Sequence, residues 1–198
     1  MQIILATTSP GRISLFHQLG LPFQVVAPVG VTEETKMLTT PEELVFINAS
    51  RKAQSVAKGR KEGLVIGCDT LGFLGNKVLG KPADAKHAKQ MLLELNGKTH
   101  LIITGIVVID CASGKKEASF DKTLVTFKTV PSKQIEQYAE TGEPIGKAGA
   151  YAFQGMGGAL LVKKAEGSAS NVIGLPIEKL FILLEKFGVK TPVKVVKK

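Results

Sequence analysis

The chain has 198 residues, of which 44% are hydrophobic, and carries a formal net charge of +9. This length fits one domain of ~100–200 residues, and the apolar fraction is enough to build its core without disulfides or a structural metal. Apolar runs stop well short of the ~18 residues of a membrane span, and the start, MQIILATTSP, lacks the basic segment of a signal peptide. We therefore expect a cytoplasmic protein with no membrane partner.

The positive charge favours anionic partners, either small phosphorylated molecules or nucleic acid. Part of this charge lies in a basic C-terminal tail at 190–198, which we separate from a single domain at 1–189; two lobes around one sheet stay open as an alternative. Aromatic residues make up 6% of the chain and Trp is absent, so the stacking platforms of single-strand binders are not indicated. The two cysteines, Cys68 and Cys111, have no metal-binding spacing and are predicted to be buried, reduced thiols.

Strands and helices are predicted to alternate along the chain, which favours an α/β fold with a mixed central sheet and flanking helices. Continuous apolar runs predict strands buried on both faces, and Ser, Pro or Asp residues mark the helix starts. In chain order, the predicted elements are a strand at Ile3–Leu5, a helix from Pro10 to Gly20, a helix from Pro41, a strand at Leu64–Ile66, a hairpin at Gly72–Leu79, a helix from Asp84 to Asn96, a strand at Leu101–Ile109, a half-exposed strand at Phe120–Lys128, a short helix capped by Ser132, a glycine-rich stretch at Gly142–Gly158 and a last helix from Pro176 to Gly188.

The segment from Thr7 to Arg12 follows the first strand and opens a helix. The free N–H groups and partial positive charge of a helix start suit phosphate. Ser9 adds a hydroxyl, Gly11 permits close approach, and Arg12 can bind phosphate oxygens through a planar fork of donors. An ordinary helix cap with a surface arginine is an equally good interpretation of this spacing.

A second candidate is Asp69, at the end of the run Val65-Ile66-Gly67-Cys68. Open α/β sheets bind ligands beyond the carboxyl ends of their strands. A carboxylate there can hold Mg²⁺ or orient an attacking water. A turn aspartate bonded to local backbone is the plainer alternative.

Other charged residues are weaker candidates. Lys81 stands between a glycine and a proline and is placed to meet a phosphate, although a solvated turn lysine is the commoner case. Lys52 lies among alanines on a predicted helix, and the simplest interpretation is a lysine that extends along the helix surface. Glu33 and Glu34 could supply a metal ligand or could be loop charges.

The block Gly146–Gly158 presents exposed backbone on which a flat ring could lie, and the amide of Gln154 could recognise the edge of a base. A glycine-rich loop with strand ends is the alternative. No histidine is assigned a catalytic role. No P-loop, GxGxxG, GxSxG or HExxH motif is present. This argues against the usual kinase, dehydrogenase, esterase and protease classes.

Taken in order, these segments resemble the Maf family of nucleoside triphosphate pyrophosphatases over residues 2 to 188. The resemblance depends on LATTSPGR, RKAQ, VIGCDT, LGKPADAKHAKQML, GKTHLIITG, EPIGKAGAYAFQGMGG and SNVIGLP. It implies a mixed α/β fold with a deep cleft, similar to that of inosine triphosphate pyrophosphatases. It also implies hydrolysis of a nucleoside triphosphate to the monophosphate and pyrophosphate, clearing or controlling non-standard or excess nucleotides, with Mg²⁺, Mn²⁺ or Co²⁺ as the cofactor.

The resemblance also implies roles for individual residues. Asp69 matches the catalytic acid, and Glu33 matches a carboxylate that joins Asp69 in holding the metal or that orients water. The remaining matches bind substrate phosphates and are Ser9, Arg12, Lys52 and Lys81.

Substrate choice is indicated by three positions. Thr70 and Gln154 agree with the dTTP/UTP branch of the family, whereas Gly11 stands where that branch has arginine. Thr32 and Ile47 also depart from the usual Asp and Arg. The alternatives are the 7-methyl-GTP branch and a catalytically silent nucleotide-binding protein involved in septum formation. Nucleic acid is the least favoured partner, and a homodimer is an alternative to a monomer.

Overall fold

The computed structural model describes residues 2–36 and 39–190, so most of the basic tail lies outside the described residues. Strands and helices alternate as the sequence predicts, and the helices lie on both faces of one mixed sheet. The elements are β1 Ile3–Ala6, α1 Pro10–His17, β2 Phe23–Val26, α2 Pro41–Ala57, β3 Leu64–Leu74, β4 Lys77–Leu79, α3 Ala85–Leu95, β5 Thr99–Asp110, β6 Lys116–Phe127, α4 Ser132–Glu140, a 3₁₀ turn at Ala148–Ala150, α5 Met156–Leu161, β7 Val162–Glu166, α6 Ala169–Ile173 and α7 Ile177–Glu185.

The predicted helix starts are mostly confirmed by side chains that accept from free backbone N–H groups. Ser9 caps α1 with Pro10 in the first turn, and Asp84 caps α3. Thr40 and Glu43 form a reciprocal capping box at the start of α2. Ser132 is the first residue of α4 and not its cap, because Pro131 occupies the cap position.

The strand order in the sheet is β2-β1-β3-β5-β6-β7, and β4 pairs with β3 beyond this path. β1 pairs in parallel with β2 and β3, whereas β3–β5, β5–β6 and β6–β7 are antiparallel. The predicted mixed sheet is thus confirmed, and so is the hairpin, in which Leu74 pairs with Lys77. The apolar run at Leu64–Ile66 marks only the first part of β3, which continues to Leu74.

Alternating residues of the central strands face two different helix layers. Ile3 and Leu5 pack on the side of α1 and α7, while Ile4 and Ala6 pack on the side of α2. A further core lies under α3 and α4 and contains both tyrosines of the chain, Tyr138 among them. Residues on both faces of β1 are therefore fully buried, as its unbroken apolar sequence predicts.

Two glycines let α2 lie directly against the sheet. A methyl group on Gly67 of β3 would overlap the carbonyl oxygen of Ala49 and would lie 2.7 Å from the amide nitrogen of Ala53. One on Gly105 of β5 would lie 3.0 Å from Val45 Cγ2. The backbone of α2 therefore rests on the backbone of two central strands, and this fixes how far its side chains reach over the sheet.

Four short elements were not predicted from the sequence, namely β2, α5, β7 and α6. The thiol predictions hold in part. Cys68 is buried, but Cys111 is only half-buried, because it follows β5 in a turn; both cysteines are free. Within residues 2–36 and 39–190, no helix combines the length and the apolar character needed to cross a bilayer.

Candidate active site

A cleft of about 870 Å³ opens where the short parallel strand β1 ends and the longer β3 continues. The last pair between them joins Ala6 to Gly67, and β4 pairs with β3 only from Gly72, so the residues of β3 between these two points have no neighbouring strand on that edge. Every site residue predicted from the sequence lines this cleft: Ser9, Gly11, Arg12, Glu33, Lys52, Asp69, Thr70, Lys81 and Gln154.

Asp69 lies at the floor of the cleft. It stands in the middle of β3, paired with Gly105, and not at the end of a strand as the sequence suggested. Its side chain is 3% exposed. The turn-aspartate alternative is wrong, because both carboxylate oxygens accept hydrogen bonds from side chains of α2 and none from local backbone.

Lys52 connects the two carboxylates of the site. Its Nζ lies 2.5 Å from Asp69 Oδ1 and 2.6 Å from Glu33 Oε1, and its side chain is 9% exposed. The interpretation of Lys52 as an extended surface lysine is therefore wrong. Lys81 Nζ donates to both oxygens of Glu33 at 2.8 Å from the opposite, exposed side.

Burial raises the pKa of Glu33, but the hydrogen bonds and charges of Lys52 and Lys81 outweigh it and bring that pKa down to about 2. Glu33 is consequently a carboxylate at any physiological pH. Its neighbour Glu34 is turned away, since its side chain accepts from the backbone N–H groups of Thr35 and Lys36. Of the two glutamates, Glu33 faces the cleft and Glu34 stabilises the loop.

Asn48 is a site residue that the sequence analysis missed. Its fully buried amide donates to Asp69 Oδ2 and to the carbonyl of Glu34, both at 2.9 Å, and accepts from the Glu34 N–H at 2.8 Å. One side chain thus ties the loop that carries Glu33 to the strand that carries Asp69. The sequence feature that could have identified Asn48 is its spacing, because it stands four residues before Lys52 and so lies on the same face of the helix.

Arg12 lines the same cleft and contacts Thr70, the residue that follows Asp69. Its Nε donates to the carbonyl of Gly174 at 2.8 Å, and its Nη2 donates to Thr70 Oγ1 at 2.9 Å. These contacts use two of the five N–H donors of a guanidinium. Ser9 accepts from the backbone N–H of Arg12 at 3.5 Å and lies half-buried at the start of α1.

The glycine-rich block closes another side of the cleft and is more ordered than a loop, since it contains the 3₁₀ turn and the start of α5. Glu143 accepts from the N–H groups of Met156 and Gly157 at 3.0 and 2.9 Å. A methyl group at Gly155 or Gly157 would overlap Glu143 or Tyr138. The glycines therefore permit close packing behind the exposed Gln154.

Gln154 is near Gly11. A methyl group built on Gly11 would lie 3.7 Å from Gln154 Nε2 and 3.1 Å from Ile173 Cγ2. The missing side chain at Gly11 thus widens the cleft between α1, α6 and the glycine-rich block.

No histidine joins the described site. His17 and His87 are exposed on helices. His100 is 2% exposed, and its Nε2 lies 3.1 Å from the hydroxyl of Tyr151. Burial lowers the pKa of His100 to about 4.

In the part of the chain that the structure describes, no group of three or more His, Cys, Asp or Glu side chains could enclose a metal. Glu33 and Asp69 are nevertheless both within 2.6 Å of one cationic atom, Lys52 Nζ. Mg²⁺ is typically held by one or two carboxylates together with substrate phosphates. The donor set therefore fits a metal that binds together with a phosphorylated substrate.

Curated proteins of known name match this chain over nearly its whole length. It is 46% identical over 187 residues to a dTTP/UTP pyrophosphatase of Pelotomaculum thermopropionicum, covering 94% of this chain and 97% of that protein. It is 45% identical over 188 residues to a dTTP/UTP pyrophosphatase of Desulforamulus reducens, covering 95% and 97%.

Two solved structures are more distantly similar. The Ham1 protein of Staphylococcus aureus matches with a TM-score of 0.42 and 14% identity, covering 64% of this chain and 72% of that one. A nucleoside-triphosphatase, or dITP/XTP pyrophosphatase, of Mycobacterium abscessus matches with a TM-score of 0.41 and 11% identity, covering 95% of each. The sequence profile described as Maf-like protein matches residues 2–187. The chain therefore belongs to the Maf family.

Proposed function

We propose that this protein hydrolyses a nucleoside triphosphate, dTTP or UTP by preference, to the monophosphate and pyrophosphate. The observation that supports the proposal most directly is that two carboxylates and three cationic side chains, contributed by five separate segments, line one cleft. The names of the relatives, dTTP/UTP pyrophosphatases, support the same reaction and substrates. A cytoplasmic location is consistent with this substrate class.

We assign a divalent metal, Mg²⁺ in the first place, to Glu33 and Asp69. When bound, such an ion neutralises phosphate oxygens and offsets charge that develops on them. Lys52 and Lys81 currently pair with these carboxylates. Because both ammonium groups already lie at the site, they are placed to turn from the carboxylates to the phosphates of an incoming nucleotide.

The attacking water belongs beside Asp69. Its carboxylate is buried at the cleft floor and can orient a water and accept a proton from it as the oxygen attacks the α-phosphorus. The bond from the α-phosphorus to the bridging oxygen breaks, and pyrophosphate leaves. Arg12, Lys52 and Lys81 stabilise the negative charge on the phosphates, and Ser9 with the start of α1 adds hydrogen-bond donors.

We assign the base to the opposite end of the cleft, between Gly11 and Gln154. An exposed glutamine amide offers one donor and one acceptor group to the edge of a pyrimidine. Thr70 influences the substrate less directly, because its hydroxyl is already bonded to Arg12 and Thr104.

Pyrophosphate release over a nucleotide panel tests the proposal. The panel contains dTTP, UTP, dCTP, 7-methyl-GTP and ITP, each with and without Mg²⁺. We expect Mg²⁺-dependent release that is fastest with dTTP or UTP. Preference for 7-methyl-GTP would move the protein to the other branch of the family. No release from any nucleotide, with binding retained, would favour the silent nucleotide-binding alternative.

A further inference from the structure

A chain of hydroxyl groups leads from Arg12 into the sheet. Arg12 Nη2 donates to Thr70 Oγ1 at 2.9 Å, Thr70 Oγ1 lies 2.9 Å from Thr104 Oγ1, and Thr104 Oγ1 lies 2.8 Å from the carbonyl oxygen of Asn171. Thr104 is on β5 and is fully buried. Asn171 belongs to α6, which packs beside α1.

The direction of every hydrogen bond in this chain is fixed by counting protons. A threonine hydroxyl has one proton, and the carbonyl of Asn171 can only accept, so Thr104 must donate to it. Thr104 can then only accept from Thr70, and Thr70 in turn can only accept from Arg12. The hydroxyl of Thr70 is therefore presented to Arg12 as an acceptor, and its own proton is already used.

The series of hydrogen bonds ends at α6, where it supplies donors to backbone carbonyls that have no partner within the helix. The last carbonyls of a helix have no partner within the helix, and here the N–H groups of Gly174 and Leu175 both bond to Ser170. Thr104 satisfies the carbonyl of Asn171, and Arg12 Nε satisfies that of Gly174 at 2.8 Å. Arg12 is consequently held at two atoms, one of them through Thr70.

We propose that Thr104 is a positioning residue for substrate binding: through Thr70, its hydroxyl orients the guanidinium of Arg12 towards the nucleotide phosphates. This inference rests on the proposed function for the identity of the ligand. It also assigns Thr70 a role through Arg12, in which its hydroxyl donates no hydrogen bond to the base.

The test uses substitutions at residue 104 that distinguish the effect of side-chain shape from the effect of the hydroxyl group. Thr104→Val keeps the branched shape and removes the hydroxyl, whereas Thr104→Ser keeps the hydroxyl. Thr123→Val is the matched control, because Thr123 is equally buried and its hydroxyl also holds α6. It donates to the carbonyl of Ser168 at 3.0 Å and accepts from the side-chain amide of Asn171 at 2.9 Å, without a described bond to Arg12 or Thr70.

The readouts are the dissociation constant of a non-hydrolysable α,β-imido dUTP with Mg²⁺, and kcat and KM for dTTP or UTP. We expect Thr104→Val to weaken analogue binding and raise KM by about tenfold, the scale of one hydrogen bond to a charged group. The kcat value should fall less. Thr104→Ser should restore binding. Thr123→Val should remain within about twofold of the unmodified protein, because its hydroxyl contacts α6 but has no described bond to Thr70 or Arg12.

A double variant sharpens the result. If both hydroxyls act in one chain, Thr70→Val combined with Thr104→Val should weaken binding no more than Thr70→Val alone. Unchanged binding in Thr104→Val, equal weakening in Thr123→Val, or a double variant equal to the product of the two singles would each overturn the inference. These results are read from binding, so they are distinct from a failure of pyrophosphate release, which would overturn the proposed function.

Discussion

Asp69 receives hydrogen bonds from two chemically different groups, the ammonium of Lys52 and the amide of Asn48. Asp69→Asn keeps the volume and an acceptor oxygen but removes the negative charge. We expect this variant to fold and to bind nucleotide. Its turnover should fall by ~10²-fold or more, as is usual when an acid–base group is lost. Pyrophosphate release at saturating substrate and a far-UV circular dichroism spectrum measure the two outcomes.

The matched control is Asp121→Asn on β6, which does not line the cleft. It removes the same charge from the molecule and should leave the rate unchanged. Full activity in Asp69→Asn would refute the role assigned to Asp69. Equal losses in both variants would show that net charge, and not the position of the carboxylate, limits turnover.

His100 makes the stability of the fold depend on pH. Its pKa is lowered by burial from 6.5 to about 4, so the unfolded chain binds the proton more readily than the folded one. The folded state therefore loses stability as the pH falls from 6.5 towards 4. Between pH 7.5 and 5, the free energy of unfolding should decrease by about 2 kcal/mol from this group.

Urea unfolding at pH 7.5, 6 and 5 measures this effect. His100→Phe keeps a ring between Phe127 and Tyr151, with which His100 makes edge-on contacts. The variant should have a nearly flat profile over the same range, whatever its absolute stability. Glu33 contributes little to the pH profile of stability between pH 7.5 and 5, because its lowered pKa affects the free energy of unfolding mainly below about pH 4.5. Parallel profiles for both proteins would contradict the prediction.

Which residues of the site could be predicted depends on how unusual each one is in its local sequence. Asp69 and Lys81 interrupt apolar or glycine-containing runs, so they could be identified from the sequence. Asn48 and Thr104 could not. An asparagine on a helix and a threonine in a strand are ordinary, and their importance comes from partners 14 to 67 residues away.

At the scale of elements, strong local signals were enough to predict the long helices and the central strands. Proline and capping residues mark the starts of α1, α2 and α3. β7 has the sequence Val-Lys-Lys-Ala-Glu and is an edge strand, so it lacks an apolar run. It forms because β6 offers free backbone groups, which is a tertiary cause that local sequence does not contain.

The contact of α2 with the sheet gives a prediction about an element. A methyl group in Gly67→Ala would overlap backbone atoms of Ala49 and Ala53, so α2 must move outwards. We expect a loss of about 2 kcal/mol or more in stability, as for overpacked cores. We also expect at least about a tenfold fall in kcat, because α2 carries Lys52 and Asn48 to Asp69 and small displacements are costly in catalysis.

Gly72→Ala is the control, since it lies on the same strand but meets only side-chain atoms, at 3.2 Å and beyond. It should cost less stability and leave kcat unchanged. Thermal unfolding and initial rates at a temperature where both variants are folded give the comparison. A Gly67→Ala protein that is destabilised but fully active would show that the position of α2 does not control the site.

At the scale of the whole molecule, we expect the central strands to join the separate cores into one folding unit. The core containing Leu64 and Ile106 lies under α1 and α7, and the core containing Tyr138 and Tyr151 lies under α3 and α4. β5 contributes to both, so neither core is complete without it.

We expect one cooperative transition in urea, as for single domains. Both tyrosines lie in the second core and Trp is absent, so intrinsic fluorescence reports that core alone, whereas far-UV circular dichroism reports all elements. Coincident midpoints and slopes are expected for the two signals. If fluorescence changed in a separate earlier transition, residues 1–189 would consist of two lobes that unfold independently.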